Sequence, residues 1–299
     1  MAVLGAPNAG KSTLVNALVG SKVAIVSHKV QTTRVPVRGI AMRGEVQIIF
    51  VDTPGIFAPK RRLDRAMVQA AWSGASDADA IVVVVDAAEL AAKERSYAAA
   101  DTERIIDGLK ESSRKAALAL NKIDGMKREM LLPLAERLNA SGVFESVFMI
   151  SALKGEGLND LAQWCAEKIP EGPFLYPEDQ AADIPSRLLA AEITREKIYE
   201  RLHDELPYAS TVVTESWKDQ TDGSVRIDQT IFVERDGQKA IVIGKGGQTI
   251  KVIGETARKD MEEMFQRRVH LFLHAKVLEG WGDDPSHYRE WGLAFPKDK

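Results

Sequence analysis

Short apolar runs alternate with longer amphipathic stretches over the first 170 residues of the chain. The runs are rich in small and β-branched residues, which is typical of strands buried on both faces of a parallel sheet. Strands that alternate with helices predict a mostly parallel α/β sheet with helices on both faces. The predicted strands are Val46–Val51, Ile81–Val85, Ala116–Leu120 and Val147–Ile150, and the predicted helices are Lys11–Val19, Arg62–Ser76, Asp101–Lys110, Leu131–Ala140 and Leu158–Lys168.

This alternation stops at the segment Ile169–Pro173, and a polar, proline-containing stretch follows. Prolines and polar residues between patterned regions indicate a linker. Beyond it the pattern predicts an α+β domain with an antiparallel strand pair joined at Asp222-Gly223. The predicted elements are a helix Ser186–Glu205, strands Ala209–Trp217 and Ser224–Glu234, a short strand Lys239–Ile243, a helix Gln248–Gln266 broken at Gly254, and a strand Val269–Val277. We expect a first domain at 1–170, a linker at 171–185 and a second domain at 186–299.

Composition narrows the class of protein. A length of 299 residues fits two domains. With 45% hydrophobic and 28% charged residues, the chain is not disordered as a whole. The single cysteine, Cys165, excludes an intramolecular disulfide framework and a multi-cysteine zinc site. The net charge of −3 offers no global argument for a nucleic-acid partner.

The start of the chain has neither a charged segment nor an apolar stretch of signal-peptide length, so we expect a cytoplasmic protein. Only Ala2, Val3 and Leu4 stand between the initial methionine and Gly5. A buried strand usually has about five or six residues. We therefore expect that the natural start lies upstream of Met1.

A phosphate-binding motif is the first candidate for chemistry. Gly5-Ala-Pro-Asn-Ala-Gly-Lys11-Ser12 matches G-x-x-x-x-G-K-[ST] and lies between a strand-like start and a helix. Backbone N–H groups of such a loop surround phosphate oxygens, and the helix dipole adds attraction. The lysine reaches the β- and γ-phosphates and the serine hydroxyl ligates Mg²⁺. In this segment we expect nucleotide contacts from Gly5, Asn8, Ala9, Gly10, Lys11, Ser12 and Thr13.

A second motif, Asp52-Thr-Pro-Gly55, directly follows the apolar run Ile48–Val51. Ligand contacts in doubly wound sheets lie at the carboxyl ends of strands. We expect Asp52 to hold Mg²⁺, through water, and the Gly55 N–H to meet the γ-phosphate. Such residues commonly end strands, so the motif carries little weight when it stands by itself.

Two further motifs point to the base of the nucleotide. Asn121-Lys-Ile-Asp124 follows a predicted strand, and the carboxylate of Asp124 can accept hydrogen bonds from the ring N–H and amine of guanine. Adenine lacks that donor pair and leaves a buried charge unpaired. Ser151-Ala-Leu153 follows the next strand, and its N–H groups can reach the guanine carbonyl. We expect nucleotide contacts from Asn121, Lys122, Asp124, Ser151, Ala152 and Leu153.

Together these motifs resemble those of the translation-factor-type P-loop GTPases, and Gln31-Thr-Thr-Arg34 resembles a switch I element of that group. The resemblance implies that a switch I threonine closes over Mg²⁺, for which we choose Thr33, with Thr32 as the alternative. The metal ligands are then Ser12, Thr33 and Asp52, and the groups that act on the reacting phosphate are Lys11, Thr33 and Gly55.

The residue after Gly55 is Ile56, where Ras-type GTPases have a glutamine that orients water. Hydrolysis must then rest on positioning and electrostatics, and the resemblance implies slow intrinsic turnover. It also implies, as a hypothesis, that Asn8 helps to hold a potassium ion that substitutes for an arginine finger.

The second domain contains a glycine loop, Gly244-Lys-Gly-Gly247, with apolar residues on both sides. It matches the G-x-x-G loop of KH domains, which clamps about four nucleotides. From Gly237 to Lys259 basic residues outnumber acidic ones, whereas the rest of the domain is acidic. Positive charge concentrated at one loop suits phosphate contacts. The expected RNA contacts are Gly244, Lys245, Gly246, Gly247, Lys251 and Arg258.

A GTPase half followed by a type II KH domain resembles the Era family of GTPases. The stretches Ile193–Lys197, Glu205–Tyr208, Glu234–Lys239 and Ala257–Met264 strengthen that match. The resemblance implies GTP and GDP as ligands and Mg²⁺ as cofactor. It also implies that the RNA partner is the 3′ end of small-subunit (16S) ribosomal RNA and that the role is assembly of the small ribosomal subunit. We expect a monomer.

Two alternatives stay open at this point. The chain can be an RNA-binding module in which the nucleotide is mainly structural. It can also be a GTPase that acts on a protein partner or peripherally at the inner face of the cell membrane, with the glycine loop a bystander. No basic amphipathic helix in the C-terminal region supports membrane binding.

Overall fold

The structure is a computed structural model that describes residues 1–30, 32–93 and 95–296. The chain divides into two compact units. The first comprises Met1–Asp183 and the C-terminal residues that begin at Gly292, and the second comprises Ile184–Trp291.

The first unit is built around a seven-stranded sheet with the order β6-β5-β4-β1-β3-β2-β7. Five strands run parallel, whereas β2 is antiparallel to both β3 and β7. The strands are β1 (Ala2–Gly5), β2 (Val37–Arg43), β3 (Val46–Asp52), β4 (Ile81–Asp86), β5 (Ala116–Asn121), β6 (Phe144–Met149) and β7 (Ala182–Asp183). The helices are α1 (Lys11–Val19), α2 (Arg62–Asp77), α3 (Ala87–Ala92), α4 (Tyr97–Glu111), α5 (Leu131–Asn139) and α6 (Leu158–Lys168).

Helices cover both faces of this sheet, as the alternating pattern predicts. Side chains of β4 alternate between the two layers, because successive residues of a strand point to opposite faces. Val83 packs in the layer under α2, α4 and α5, and Val84 packs in the layer under α1 and α6. The predicted fold class, a mostly parallel α/β sheet, is confirmed for this unit.

The second unit packs helices on a three-stranded sheet with the order β10-β9-β8. Strands β8 and β9 are antiparallel, and β9 and β10 are parallel. Two buried apolar clusters join the sheet to α7 and α9. The elements are α7 (Ser186–Arg201), β8 (Ser210–Asp219), β9 (Val225–Val233), α8 (Asp236–Ile243), α9 (Gln248–Phe265), β10 (Val269–Val277) and α10 (Pro285–Glu290).

The predicted short strand Lys239–Ile243 is wrong, because this segment is the C-terminal half of α8. The run of Ile241, Val242 and Ile243 favours a strand by propensity. The helix begins with a capping interaction in which Gln238 Oε1 accepts hydrogen bonds from the Glu234 and Arg235 N–H groups. Val242 is fully buried while Ile241 is 58% exposed, so packing of one helical face overrides local propensity.

Helix α4 begins at Tyr97, four residues before its predicted start at Asp101, and two helices of the second unit also differ from the sequence pattern. Helix α7 ends at Arg201 rather than at residue 205. Helix α9 continues through Gly254 without a break. Gly254 lies against the side chain of Leu273 on β10, so the small residue lets the helix approach the strand, and it does not interrupt the helix.

Most of the segment predicted as a linker, 171–185, packs on the first unit. Gln47 Oε1 accepts hydrogen bonds from the N–H groups of Leu175 and Tyr176. Strand β7 then pairs with Arg38 and Gly39 of β2. An edge strand offers unpaired backbone groups, and here the chain that leaves the first unit covers them.

Candidate nucleotide and RNA sites

A cleft of about 590 Å³ lies at the carboxyl edge of the large sheet. It is lined by the loop before α1, by residues that follow β4 and β5, and by the segment between α1 and β2. Gly5, Ala9, Asp52 and Ser151 do not line it, although we expected them to contact the nucleotide. They are buried behind it. The lining contains the other expected residues: Asn8, Gly10, Lys11, Ser12, Thr13, Thr33, Gly55, Asn121, Lys122, Asp124, Ala152 and Leu153.

The phosphate-binding loop folds so that its backbone faces the cleft. Asn8 and Gly10 both have positive φ angles, 62° and 97°. A Cβ atom on Gly10 would lie 2.3 Å from Asn121 Nδ2, so this position requires glycine. Helix α1 begins directly afterwards at Lys11, and no acidic residue occupies its first turn. Its N-terminal N–H groups therefore form an anion-binding end.

Lys11 is buried beneath this loop. Its Nζ donates hydrogen bonds to the carbonyl oxygens of Gly5, at 3.2 Å, and Ala6, at 3.0 Å. Burial lowers the pKa of Lys11 to about 8, although the nearby charge of Asp52 opposes the shift. The ammonium group is therefore close to the cleft and held by carbonyls that a phosphate can replace.

Three oxygen-bearing side chains meet beside Lys11. The Ser12 hydroxyl donates to Asp52 Oδ2 at 2.7 Å, the Thr33 hydroxyl does so at 3.3 Å, and the two hydroxyl oxygens are 2.9 Å apart. Within the described part of the chain, the buried Asp52 Oδ1 has no hydrogen-bond partner. Burial raises the pKa of Asp52, against the opposing effects of the Ser12 hydrogen bond and the Lys11 charge. A carboxylate with an orphaned oxygen and two hydroxyls fit a hard cation such as Mg²⁺.

The segment between α1 and β2 places its two threonines differently. Thr33 is buried at the oxygen cluster, whereas the Thr32 hydroxyl donates to the Lys29 carbonyl at 2.8 Å. Of the predicted switch I motif, Gln31 lies outside the described residues. Asn8 connects the phosphate-binding loop to this segment, because its Nδ2 donates to the His28 carbonyl at 2.9 Å.

The position after Gly55 confirms the departure from the Ras-type pattern. Ile56 is fully buried and packs in the apolar layer of the sheet, and its N–H donates to the Gly5 carbonyl at 3.1 Å. Its side chain therefore does not face the cleft, and it has no group to orient water.

Asn121 ties together three loops at the other end of the cleft. Its Nδ2 donates to the Ala9 carbonyl, and its Oδ1 accepts from the Ala152 N–H, both at 2.9 Å. Asp124 lies in a short 3₁₀ turn and is exposed at the cleft, as is Leu153. Ser151 is fully buried and accepts a hydrogen bond from the Lys154 N–H at its Oγ, so it shapes the loop from behind.

Sequence reasoning missed Asp86, which lines the cleft and forms an ion pair with Lys122. The signal was available, because Asp86 directly follows the apolar run Ile81–Val85. That rule, a polar residue at the carboxyl end of a parallel strand, was applied to Asp52 and Asn121.

The glycine loop of the second unit joins α8 to α9. Gly246 and Gly247 have positive φ angles of 61° and 78°, which leaves the backbone open at the N-terminus of α9. Lys245 is exposed, and the side chain of Lys251, in the first turn of α9, is 73% exposed. Arg258 lies ten residues after Gln248, about 15 Å further along the helix, and pairs with Glu262 at 2.7 Å. The structure thus groups the loop with Lys251 and leaves Arg258 apart.

Comparison with known proteins identifies the family. A family model described as "50S ribosome-binding GTPase" matches residues 1–122, and a KH domain model matches residues 205–282. The GTPase Era of Rhizobium meliloti (strain 1021) is 58% identical over 297 residues, which cover 99% of this chain and 93% of that protein. The chain belongs to the Era family of GTPases. GTPase Era of Caulobacter vibrioides (strain NA1000 / CB15N) is 57% identical over 98% of this chain and 95% of its own length.

Two solved Era structures share this Era-family fold over 97% of both chains, at 38% identity and a TM-score of 0.89. One is a variant of Aquifex aeolicus Era bound to GDP·AlF4⁻. The other is Era in complex with MgGDPNP and nucleotides 1506–1542 of 16S ribosomal RNA. The predicted combination of a GTPase domain and a KH domain is confirmed. None of the helices in the described residues is long and apolar enough to span a membrane.

Proposed function

We propose that this chain is a GTP-hydrolysing molecular switch that uses Mg²⁺ and binds the 3′ end of small-subunit ribosomal RNA. The observation that carries the nucleotide half of this proposal is the meeting of Ser12, Thr33 and Asp52 beside the buried Lys11. These residues come from three separate segments and form one oxygen-lined corner at an anion-binding helix end. Such a corner suits a nucleoside triphosphate with its magnesium ion.

In this proposal each group has a defined task. Lys11 exchanges its bonds to the Gly5 and Ala6 carbonyls for bonds to the β- and γ-phosphates. Ser12 and Thr33 turn their hydroxyl oxygens to Mg²⁺, with Asp52 behind them, and the ion neutralises phosphate charge when it is bound. The Gly55 N–H donates to the γ-phosphate. Since Ile56 is buried, hydrolysis rests on this positioning and not on a side-chain base.

At the base end, Asp124 accepts the guanine N–H donors and the loop 151–153 faces the guanine carbonyl. Asp124→Asn should therefore shift preference from guanine to xanthine nucleotides, because the amide can donate to the carbonyl of xanthine. Titration with GDP and with xanthosine diphosphate measures this shift. An unchanged preference for GDP contradicts the assignment of Asp124.

The KH domain is proposed to hold single-stranded RNA on the loop Gly244–Gly247. Support comes from the open glycine backbone, the exposed Lys245 and Lys251, and the N-terminus of α9 behind them. A related Era binds nucleotides 1506–1542 of 16S ribosomal RNA. We propose that this chain binds the corresponding RNA during assembly of the small subunit.

RNA affinity in different nucleotide states tests the switch. The full chain is titrated into a labelled RNA of the 3′ end of small-subunit rRNA with a GTP analogue, with GDP, and without nucleotide. The proposal expects the highest affinity with the analogue, because an ordered Thr33 segment favours the RNA-binding form. Equal affinities in all three states favour the alternative in which the nucleotide is structural.

A monovalent cation is proposed as a further cofactor. Asn8 and the His28 carbonyl lie together at the cleft, and amide and carbonyl oxygens suit potassium. Turnover should be faster in potassium chloride than in sodium chloride of equal concentration. The Asn8→Ala variant should lose that difference. Equal rates of the native chain in both salts contradict the proposal.

We further propose that the chain acts as a monomer in the cytoplasm. Sedimentation at micromolar concentration tests the oligomeric state. Peripheral membrane association, which the sequence analysis left open as an alternative, is tested by co-sedimentation with anionic phospholipid vesicles.

A further inference from the structure

An ion pair lies in the wall of the nucleotide cleft, at the end where we propose that the guanine base binds. Lys122 Nζ lies 2.6 Å from Asp86 Oδ2, and both residues line the cleft. Asp86 ends β4 and is paired in parallel register with Asn121, the residue before Lys122. The pair therefore connects the ends of two adjacent strands.

Asp86 is held firmly from the other side. Its Oδ1 accepts a hydrogen bond from the Glu89 N–H at 3.0 Å and caps the N-terminus of α3. The residue is only 9% exposed. Because the hydrogen bond to Oδ1 holds the carboxylate in place, Oδ2 is a fixed acceptor for Lys122.

The contact with Asp86 orders the Lys122 side chain, which is flexible by itself. Its backbone has a left-handed conformation with φ of 65°, and its side chain is 42% exposed. A lysine has a flexible four-carbon stem and loses conformational freedom when it is ordered. With the ammonium at Asp86, that stem spans from the end of β5 to the end of β4, in the wall of the cleft that both residues line.

We propose that Asp86 is a positioning residue for guanine nucleotides, which acts by holding Lys122 extended as an apolar surface for the purine ring. This inference rests on the proposed function of the cleft. The anchored lysine is ordered in advance, so binding pays less of the ordering cost. Lys11 and Ser12 lie at the start of α1, so the phosphate end does not depend on Asp86.

The test uses Asp86→Asn in the full chain, which keeps a side-chain oxygen for the α3 cap and removes the charge. Titration with fluorescently labelled GDP should show a dissociation constant raised by about tenfold, or about 1.4 kcal/mol. The loss should fall on the KM for GTP rather than on kcat, and the unfolding temperature is measured beside it to recognise a general loss of structure. The matched control is Glu145→Gln, which breaks the 2.8 Å pair between Glu145 of β6 and Lys168 of α6, outside the cleft, and should leave GDP affinity unchanged.

A double-mutant cycle with Lys122→Met separates positioning from capping, because methionine keeps an apolar stem without an ammonium group. If Asp86 acts through Lys122, Asp86→Asn causes no further loss in the Lys122→Met background. An equal loss in both backgrounds overturns the proposal and assigns the effect to α3. GDP affinity of Asp86→Asn equal to that of the native chain also overturns it. Failure of the native chain to bind GDP contradicts the proposed function itself.

Discussion

The Ser12 hydroxyl donates a 2.7 Å hydrogen bond to Asp52 Oδ2, across 40 positions of sequence. Ser12 is the second residue of α1, and Asp52 is the last residue of β3. Because the sheet is parallel in this region, the start of the helix and the end of the strand meet at one edge. This contact joins the two segments that form the proposed metal-binding corner.

Replacement of Asp52 by asparagine should separate function from stability. Loss of the carboxylate should reduce Mg²⁺-dependent GTP hydrolysis by about 100-fold, because charge at the reacting phosphates is no longer balanced. Burial raises the pKa of Asp52 in the folded chain, so its ionised form opposes folding above the ordinary pKa near 3.8. The nucleotide-free Asp52→Asn chain should therefore unfold at the same or a higher temperature at pH 7.

That gain in stability should shrink as the pH falls through the raised folded pKa and vanish below the unfolded pKa of 3.8, where Asp52 is protonated in both states. Calorimetry at several pH values measures it. Asp101 offers a matched control, because burial also raises its pKa and it does not line the cleft. Asp101→Asn should leave the Mg²⁺ dependence intact. A clear loss of stability in nucleotide-free Asp52→Asn at pH 7 would contradict the argument.

Lys11 should make the nucleotide-free chain more stable at alkaline pH. Its pKa is about 8 in the folded chain against 10.5 when unfolded, so the unfolded state binds more protons between these values. Stability attributable to Lys11 therefore rises with pH through this window. The difference in unfolding free energy between native chain and Lys11→Met should change by about 3 kcal/mol from pH 8 to pH 10.5. Urea titrations give this difference, and a flat profile would be the contrary result.

Gly10 should tolerate alanine far less well than Gly20. Both have positive φ angles, 97° and 79°, so backbone strain is common to the two substitutions. A Cβ at Gly20 meets open space, whereas one at Gly10 collides with Asn121. We expect Gly20→Ala to cost about 1 kcal/mol, and Gly10→Ala to cost about 1–3 kcal/mol more because the Asn121 hydrogen bonds are displaced.

Only Gly10→Ala should also weaken GDP binding, since Asn121 connects the phosphate-binding loop to the base end of the cleft. Denaturation curves and GDP titrations on the two variants provide the comparison. Equal effects of the two substitutions would show that strain, and not the contact with Asn121, dominates.

Two basic residues of α9 should differ in their effect on RNA binding. Lys251 is largely exposed and close to the glycine loop, and its Nζ lies 4.0 Å from Glu255. Arg258 is two turns further along and holds Glu262 at 2.7 Å. Lys251→Ala should reduce the slope of log affinity against log salt by about 0.7, whereas Arg258→Ala should change it little. Salt titrations with single-stranded rRNA distinguish the two, and an equal effect would place Arg258 in the RNA interface.

The hydrophobic pattern correctly placed polar residues at the carboxyl ends of strands. Asp52 and Asn121 were predicted because each ends an apolar run, and parallel strands bring such ends to one edge. It was a poor guide at 239–243, where β-branched residues suggest a strand and the packing of Val242 selects a helix. It was also silent on the pairing of β7 with β2, because strand pairing across more than 140 residues leaves no periodicity in either segment.

The sequence by itself determined the motifs, the strand ends that carry the nucleotide motifs and the family resemblance, because each depends on residues that are neighbours along the chain. Only the tertiary structure decided which groups share a site. It placed Thr33 rather than Thr32 at Asp52 and added Asp86 through its bond to Lys122. Those outcomes depend on how strands and helices pack, since contacts of 3 Å between distant segments are set by the whole fold and not by spacing along the chain.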